Sequence, residues 1–568
     1  MRVKNSFFIP QRFCMNVVEQ IEQVLRAQVQ ELFPEQAPQV EKSLSVALND
    51  DPNKQQFGDI STNAAMLLAK LLGENPRVVA GAIIASLAHP LIDSCAIAGP
   101  GFINITLTSE AFRQTVHQFS EDFAGFFKLR VDAPRHHYSI EYVSANPTGP
   151  LHLGHGRGGI IGDVLGNIER LLGHTVTKEF YINDAGKQIE TLGLSLKIRC
   201  EQQLGIPAEL PEEGYRGEYL ITLAQELCAN QKPAVDQALA AGDTRFFGNY
   251  AKQKLLAEQQ ETLRDYGIDF DTWFSESTLH KSGEIDTALE QLRVNGVTFE
   301  QDGALWFAST RFGDDKDRVL RKSDGTLTYV APDIAYLRNK IMRGADKLVI
   351  VLGQDHHSYV VRLKGLMQAL GYNPDDLDVI LYQLVTLKED GAVLRMSKRA
   401  GRMVTLRDVI DAVGADVARF FYLNRKADAH LEFDIALALR KTEENPVYYI
   451  QYAYVRTNSI LEKAGAFPQL LPQMGAVYTF DEHEKLLIKK ILALKVLLQN
   501  IGHNYQVHLL AYYVIELANN FHSFYAGHKV IDPENPEQSR RRLVLITLLK
   551  QTFELCFKLL GISCPEKM

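Results

Sequence analysis

Two histidines, His152 and His155, are the residues of this chain whose type and spacing best suit phosphate chemistry. They lie in a turn rich in proline and glycine, residues 147–159. The turn follows an alternating apolar run, residues 138–143, and opens a helical pattern that reaches about Leu172. A strand, a glycine-rich turn and a helix N-terminus form an anion site, because backbone N–H groups point outward and the helix dipole favours negative charge. The sequence therefore predicts a phosphate compound here, with the imidazoles as additional donors.

A nicotinamide dinucleotide site is one interpretation of this turn. Residues 154–159 match the G-x-G-x-x-G pattern, and an acidic residue, Glu179, lies twenty residues after Gly159. Two observations weigh against it. The rigid segment Asn-Pro-Thr-Gly-Pro precedes the turn, whereas a dinucleotide turn passes directly from strand to glycine, and the pattern gives the histidines no role. A dehydrogenase stays an alternative at this stage.

A second candidate for phosphate chemistry is the basic segment of residues 388–402, which contains hinge glycines. Lys398 and the neighbouring arginines can stabilise the charge that develops on a leaving pyrophosphate. Alone, the segment is equally typical of a solvated charge run. Together with the histidine turn it indicates a polyphosphate ligand.

The elements that would position both segments alternate between strand and helix from His136 onward. Short apolar runs typical of strands occur at residues 176–182, 305–307, 327–330, 348–351 and 379–384. A helical stretch, residues 358–370, separates the last two runs, as a parallel β-α-β unit requires. The predicted fold class is α/β and multidomain, with a Rossmann-like parallel sheet between an N-terminal α+β domain and a C-terminal all-α bundle.

The length of 568 residues is too great for one hydrophobic core, so we expect several domains. Within the first of them, residues 16–33, 61–72 and 77–87 have helical periodicity. The predicted units are an N-terminal domain at 1–130 with a flexible leader at 1–14, the Rossmann-like domain at 131–400 with a helical insertion at about 190–300, a connecting stem at 401–440, and the helical domain at 441–568.

The composition is typical of soluble globular proteins, with 46% hydrophobic and 23% charged residues, and no apolar run is long enough to span a membrane. The net charge of −8 argues against a generally basic nucleic-acid coat. The six cysteines form no C-x-x-C pair, which indicates neither a zinc ribbon nor a disulfide framework. Scattered thiols fit a reducing compartment, so we expect a cytoplasmic protein.

The C-terminal part differs from the rest in charge and aromatic content. Residues 441–568 carry 14 Lys and Arg against 12 Asp and Glu, so the remainder of the chain carries −10. One short helical stretch contains Tyr448, Tyr452, Arg456 and Asn458. Such side chains can stack on bases and contact phosphates. The alternative is a helix face packed on a neighbouring helix.

These motifs resemble class I aminoacyl-tRNA synthetases, and most closely the arginyl-tRNA synthetase family. His152-Leu-Gly-His155 resembles the HIGH motif of the class, and Arg395-Met-Ser-Lys398 resembles its KMSKS loop, with Arg395 in place of the first lysine. The narrower match rests on residues 141–150, 57–59, 98–104, 328–336 and 564–568, and covers nearly the whole chain from Met15. Arginine and lysine are not interchangeable, so the division of labour between Arg395 and Lys398 stays open.

The resemblance implies an arginine–tRNA ligase that forms arginyl-adenylate with ATP, releases pyrophosphate, and transfers arginine to the 2′-hydroxyl of the terminal adenosine of tRNA(Arg). It implies L-arginine, ATP, Mg²⁺ and tRNA(Arg) as ligands, no membrane partner, and a monomer. It further implies that the C-terminal helical domain reads the anticodon and that the N-terminal domain contacts the tRNA elbow.

The resemblance also implies site residues. The catalytic residues would be His152, His155 and Lys398. ATP would be bound by Gly149, Pro150, Leu151, His152, Gly154, His155, Arg395, Met396, Ser397 and Lys398. Arginine would be bound by Glu141, Ser144, Asn146, Tyr329, Asp333 and Gln354, and tRNA by Tyr448, Tyr452, Arg456 and Asn458.

A guanidinium substrate requires carboxylates in planar geometry and favours an aromatic face. Glu141 lies in a predicted buried strand, where an unpaired carboxylate is costly, so we expect a partner such as a substrate cation. A helix that begins at Pro332 would let Tyr329 and Asp333 face one site. Asp333 is equally typical of a charge at a helix N-terminus.

Two further alternatives are a catalytically silent paralogue that keeps its RNA-binding domains and a sister synthetase for another amino acid. The intact histidine turn and Lys398 argue against the first. No metal site is predicted, because His356 and His357 lack a third ligand at suitable spacing.

Overall fold

The computed structural model describes residues 15–389, 392–393, 404–465 and 479–568. The predicted leader and the predicted ATP-binding residues Arg395, Met396, Ser397 and Lys398 lie outside the described residues. The rest forms an α+β unit, a parallel-sheet unit and a helical unit, in that order. The predicted fold class is confirmed.

The N-terminal unit packs helices on a four-stranded antiparallel sheet of order β1-β2-β4-β3. Its elements are α1 (Val17–Leu32), α2 (Ala37–Val40), β1 (Val46–Leu48), β2 (Ile60–Thr62), α3 (Ala64–Leu72), α4 (Pro76–Ser86), β3 (Ile92–Ala98), β4 (Phe102–Leu107), α5 (Ser109–Glu121) and α6 (Phe123–Phe126). The helix predicted over 61–72 is wrong at its start. Ile60 and Thr62 are buried on either side of a half-buried Ser61, so this stretch pairs as a strand and α3 begins only at Ala64.

The parallel sheet has five strands in the order β12-β11-β5-β6-β7. Its strands and the helices between them are β5 (His137–Glu141), α7 (Leu153–Leu172), β6 (Thr175–Ile182), β7 (Thr272–Ser275), β11 (Lys347–Gly353), α15 (His357–Ala369) and β12 (Leu377–Tyr382). The predicted β-α-β unit is confirmed, because β11 and β12 run parallel on either side of α15. β5 lies at the centre, where Ile140 is in register with Lys178 and with Val349. Side chains that follow β5 and β11 therefore meet at one edge of the sheet.

Between β6 and β11 the chain adds a helical layer and a small antiparallel sheet of order β10-β9-β8. The added elements are α8 (Lys187–Gln203), α9 (Glu218–Asn230), α10 (Lys232–Ala241), α11 (Thr244–Asp265), α12 (Glu276–Ser282), α13 (Glu284–Val294), β8 (Thr298–Gln301), β9 (Ala304–Phe307), β10 (Arg318–Arg321) and α14 (Val330–Met342). The apolar run at 327–330 is not a strand. Its last residue, Val330, is instead the buried start of α14, since a short apolar run suits a helix as well as a strand.

After β12 the chain forms a stem and a helical bundle. These consist of β13 (Val385–Glu389), β14 (Ala392–Val393), α16 (Leu406–Val413), α17 (Ala415–Leu423), β15 (Leu431–Asp434), α18 (Ile435–Ala438), α19 (Pro446–Ala464), α20 (Glu482–Asn504), α21 (His508–Gly527) and α22 (Pro536–Leu560). β13 and β15 pair in parallel, so the predicted stem at 401–440 contains a strand, β15, as well as helices. None of the described helices is long and apolar enough to cross a membrane.

Lysines on α20 join this bundle to the N-terminal unit. Lys489 Nζ lies 3.0 Å from Asp59 Oδ1, and both side chains are at least nine-tenths buried. Lys490 pairs with Asp50 at 2.8 Å on the same interface. The first and last units of the chain are therefore in direct contact.

Candidate active site

The chain leaves β5 through a strained turn. Val143 and Ser144 have φ angles of 66° and 39°, in the left-handed region that a β-branched residue such as valine rarely adopts. The Ser144 hydroxyl donates to Glu141 Oε1 at 3.0 Å and accepts the backbone N–H of Tyr181 at 3.1 Å. These bonds stabilise the turn that directs the following loop across the edge of the sheet. Backbone strain of this kind concentrates at functional sites.

The helical layer holds the loop between the turn and the histidines. Gln259 of α11 donates its amide to the carbonyls of Asn146 (3.1 Å) and Gly149 (2.8 Å), and its own side chain is buried. The hydroxyl of Tyr219, on α9, donates to the Thr148 carbonyl at 2.6 Å. Helices of the predicted insertion therefore hold this loop in place.

His152 and His155 form the N-terminus of α7. The His152 N–H donates to His155 Nδ1 at 3.1 Å, and the Gly154 N–H donates to His152 Nδ1 at 3.1 Å. The rings stack with centroids 3.6 Å apart. Because both Nδ1 atoms accept, the neutral rings carry their protons on Nε2. Both imidazoles therefore offer an Nε2–H donor at a helix N-terminus.

Burial, reinforced by the neighbouring His152, lowers the pKa of His155 to about 3. The ring is therefore neutral at physiological pH and acts as a hydrogen-bond donor, not as a cation.

The glycines of this segment serve helix packing. α7 already begins at Leu153, so residues 154–159 lie inside the helix and not in a turn before it. A Cβ at Gly158 would lie 2.6 Å from the ring of Tyr382, and one at Gly162 would lie 2.3 Å from the ring of Tyr142. Glu179, the acid of the dinucleotide alternative, is buried and paired with Arg343 at 2.6 Å. The geometry does not support a dinucleotide site.

Three acidic residues, Glu141, Asp333 and Glu276, form an acidic cluster next to the strained turn. Glu141 pairs with Lys340 of α14, whose ammonium is fully buried. Asp333 is half-buried, and it accepts a hydrogen bond from the hydroxyl of Tyr359. Burial raises the pKa of Asp333 to about 7, against the opposing effect of that hydrogen bond, while Glu276 and Glu141 raise it further. Among the described residues Asp333 forms no salt bridge, so this part of the acidic cluster suits a cation.

Two more predicted arginine-binding residues, Tyr329 and Gln354, lie directly before α14 and after β11. The helix begins at Val330 and not at Pro332, and Tyr329 is 89% exposed although it lies one helical turn before Asp333. Tyr359 supplies the phenol next to Asp333 instead. Gln354 follows β11 as expected and is half-buried, lining a cleft of about 410 Å³ with residues of the stem.

Comparison with known proteins covers all three units. Residues 19–107 match the family described as arginyl tRNA synthetase N terminal domain, residues 130–428 match tRNA synthetases class I (R), catalytic domain, and residues 450–568 match the DALR anticodon binding domain. The arginine–tRNA ligase of Bacillus subtilis (strain 168) is 40% identical over 558 residues, which are 98% of this chain and 100% of that protein. The arginine–tRNA ligase of Geobacter sp. (strain M21) is 42% identical over 524 residues, with 91% and 94% covered.

The chain belongs to the arginyl-tRNA synthetase family. The solved structure of Thermus thermophilus arginyl-tRNA synthetase has the same fold, with a TM-score of 0.73 and 22% identity over 97% of this chain and 100% of that chain. Membership confirms the predicted class I catalytic domain and the ligase reaction of arginine, ATP and tRNA. The dehydrogenase and the sister synthetase are no longer alternatives.

In this arginyl-tRNA synthetase, α19 presents part of the predicted tRNA-binding set on one stripe. The rings of Tyr448 and Tyr452 are parallel with centroids 6.5 Å apart, and Arg456 donates to the Tyr452 hydroxyl at 2.6 Å. Tyr452 and Arg456 line a cleft of about 740 Å³ together with Lys463. Asn458 lies on another face of the helix, six positions after Tyr452.

Several functional candidates were not predicted from the sequence. Lys340 and Glu276 contribute charge at the acidic cluster, Tyr359 bonds Asp333, and Gln259 holds the loop. Only Glu276 had a local signal, because it is the first residue of a helix that follows a strand of the parallel sheet.

Proposed function

We propose that the enzyme joins L-arginine to tRNA(Arg) in two steps on the segment from Glu141 to His155. One observation carries the proposal. The segment has an acidic cluster suited to a cation beside its start and two imidazole N–H donors suited to an anion at its end. An amino acid with a guanidinium group and a nucleoside triphosphate would thus meet at the same edge of the sheet.

In the first step the arginine carboxylate attacks the α-phosphorus of ATP, and the bond to pyrophosphate breaks. His152 and His155 donate their Nε2 hydrogens to phosphate oxygens as negative charge develops on the five-coordinate phosphorus. Gly149, Pro150, Leu151 and Gly154 lie against the adenosine. Lys398, with Arg395, Met396 and Ser397, holds the β- and γ-phosphates.

The acidic cluster selects the guanidinium. Asp333 provides a carboxylate that forms no salt bridge among the described residues, and Glu276 adds negative charge beside it. Glu141, held by Lys340 and Ser144, shapes the wall of the arginine pocket with Asn146. Tyr329 and Gln354 complete the pocket as residues of its rim.

In the second step a ribose hydroxyl of the terminal tRNA adenosine attacks the adenylate carbonyl, and AMP leaves. The C-terminal bundle holds the tRNA through the stripe of Tyr448, Tyr452 and Arg456, where bases stack on the rings and phosphates meet the guanidinium. Asn458, the fourth predicted tRNA-binding residue, lies on another face of α19 and is not part of this proposed contact.

Mg²⁺, a cytoplasmic location and a monomer belong to the same proposal. Mg²⁺ binds through substrate phosphates and few protein carboxylates, so ATP would carry it and it would neutralise phosphate charge. Cys200 and Cys228 are free thiols that share a hydrogen bond, which suits a reducing cytoplasm.

ATP–pyrophosphate exchange tests the proposed reaction. The assay is run with each amino acid separately, with and without tRNA(Arg). We expect exchange that only arginine stimulates. Exchange stimulated by a different amino acid would refute the proposed specificity.

A further inference from the structure

Arg157 is a buried cation that the proposed function does not use. It lies on α7 two residues after His155, and no part of it is exposed. Its guanidinium donates to three backbone carbonyls, those of Gln383 (2.8 Å), Ala429 (2.8 Å) and Lys426 (2.9 Å). Among the described residues it forms no salt bridge. Buried arginines are usually paired with carboxylates, so a guanidinium held by carbonyls alone is unusual.

The three carbonyls lie in segments that lead into two strands, and these strands pair with each other. Gln383 lies two residues before β13, and its N–H donates to the Ala427 carbonyl at 2.9 Å. Lys426 and Ala429 precede β15, which runs parallel to β13 with Val385 opposite Leu431. One side chain of α7 is therefore bonded to the segments that lead into both strands.

The start of α7 also contacts the chain on the far side of the basic segment. The Leu406 N–H donates to the Leu151 carbonyl at 2.8 Å, and His152 forms a β-bridge with Thr405. The hydroxyl of Tyr422 donates to the Leu153 carbonyl at 2.9 Å. The chain that follows the basic segment is therefore bonded to the first turn of α7.

Close packing on this face leaves Arg157 little freedom to move. A Cβ at Gly158 would meet the ring of Tyr382 at 2.6 Å, and one at Gly156 would meet Leu406 at 2.7 Å. A change in the Arg157 contacts would therefore shift β13 and the histidine turn relative to each other.

We propose that Arg157 is a positioning residue for adenylate formation, which sets the place of β13 relative to His152 and His155. From β13 the chain continues to the segment that contains Lys398, so this contact fixes where that segment starts with respect to the histidines. The inference rests on the proposed roles of His155 and Lys398. It adds a residue that touches neither substrate.

The test replaces the guanidinium and separates kcat from KM. In Arg157→Met the three carbonyls lose their donor, and we expect kcat for ATP–pyrophosphate exchange to fall about 10- to 100-fold with an unchanged KM for arginine, because small misplacements of reacting groups have effects of this size. In Arg157→Lys the ammonium keeps the charge and part of the bonding, and we expect kcat between the two. A purely structural residue would change stability without this graded effect on kcat.

Arg419 provides the matched control. It is also fully buried, and it donates to the carbonyls of Tyr266 (2.9 Å), Gly267 (3.0 Å) and Leu560 (2.9 Å) and pairs with Asp163. We expect Arg419→Met to lower the melting temperature and to leave kcat of the folded enzyme unchanged.

The proposal would be overturned if Arg157→Met and Arg419→Met lost kcat and stability to the same extent. It would also be overturned if the KM for arginine of Arg157→Met rose by as large a factor as its kcat fell. If Arg157→Met does not fold, Arg157→Lys decides: reduced kcat at normal KM supports the role, and wild-type kcat refutes it. Failure of the proposed function itself would be recognised separately from failure of the Arg157 proposal, because the wild-type enzyme would then show no arginine-dependent exchange.

Discussion

Glu141 and Lys340 form an ion pair in the interior of the parallel-sheet unit, with 10% and 0% of their side chains exposed. The Lys340 ammonium also lies 4.2 Å from the centroid of the Tyr336 ring. Glu141 is therefore already neutralised by a cation of the protein itself. In the proposed arginine pocket we therefore expect Asp333 and Glu276 to attract the guanidinium, and Glu141 to contribute shape and hydrogen bonding.

Removing the lysine of this pair should destabilise the protein. Lys340→Met leaves a buried carboxylate without its partner, which costs about 3–5 kcal/mol of unfolding free energy. Adding Glu141→Gln to this variant should restore most of the loss. The midpoint of thermal unfolding, followed by circular dichroism, measures both effects. Lys232→Met, which removes an exposed pair with Asp236, is the control and should cost less than about 1 kcal/mol.

The role of His155 as a neutral donor can be separated from its role in the helix start. In His155→Asn the side-chain oxygen can still accept the His152 N–H, but the Nε2 donor is gone. We expect arginine-dependent exchange to fall about 10²- to 10³-fold, the usual effect of losing one donor to a developing charge, with thermal stability unchanged. His155→Gln, which places an amide N–H near the Nε2 position, should retain more activity. Near-normal exchange in the asparagine variant would contradict the assignment.

Asp333 should make arginine binding depend on pH. Its pKa is raised to about 7, so the carboxyl loses its charge as the pH falls through 7. The KM for arginine should be constant above pH 8 and should rise below pH 7, by at most about tenfold per unit. Asp333→Asn should raise the KM at pH 8 by about 30-fold, equivalent to ~2 kcal/mol, and should remove the pH dependence below 7. Initial-rate measurements from pH 6 to 8.5 distinguish the two proteins, and parallel profiles would count against Asp333 as the guanidinium partner.

The stripe on α19 should contribute to RNA affinity through charge. Arg456→Gln should weaken tRNA(Arg) binding and reduce the slope of log affinity against log salt concentration by about 1. Asn458→Ala is the matched control, since its side chain lies on another face of the same helix, and it should leave both quantities unchanged. Fluorescence anisotropy with labelled tRNA over a range of salt concentrations measures them. If Asn458→Ala weakened tRNA binding as much as Arg456→Gln, the tRNA would not bind specifically along the stripe of Tyr448, Tyr452 and Arg456.

The bonds from Gln259 should matter for substrate binding more than for folding. Gln259→Leu keeps the volume but removes the donor to the carbonyls of Asn146 and Gly149. We expect the KM values for arginine and ATP to rise about tenfold, because the loop that carries both sites loses its support. Gln253→Leu, at an exposed position of α11, should behave as wild type. Unchanged KM values in Gln259→Leu would show that the loop holds its shape alone.

The parts of the site that could be predicted from the sequence are the parts encoded locally. His152 and His155 are three residues apart at the start of a helix, and the strand before them has its own alternating pattern. Spacing alone was sufficient there, since strand, turn and helix follow one another without interruption.

The remaining contacts could not be predicted because they join distant positions. Lys340 reaches Glu141 across 199 residues and Gln259 reaches Asn146 across 113, and neither pair leaves a periodic signal. The exposure of Tyr329 was missed for a different reason. It lies one helical turn before Asp333, and spacing alone does not tell whether a side chain there faces the site or the solvent. The start of α14 was also misplaced by two residues, because helix boundaries are where pattern-based prediction is least sharp.

The ion pair between Asp59 and Lys489 also affects the order in which the chain folds during its synthesis. The two residues are separated by 430 positions. A ribosome that adds about 5–20 residues per second exposes Asp59 roughly 20 to 90 s before Lys489 is made. Throughout that interval the nascent N-terminal unit carries an acidic surface in contact with water, which the last helices to be synthesised finally cover. A chain released early, while the parallel-sheet unit is being synthesised, would still expose this unpaired acid on its first unit.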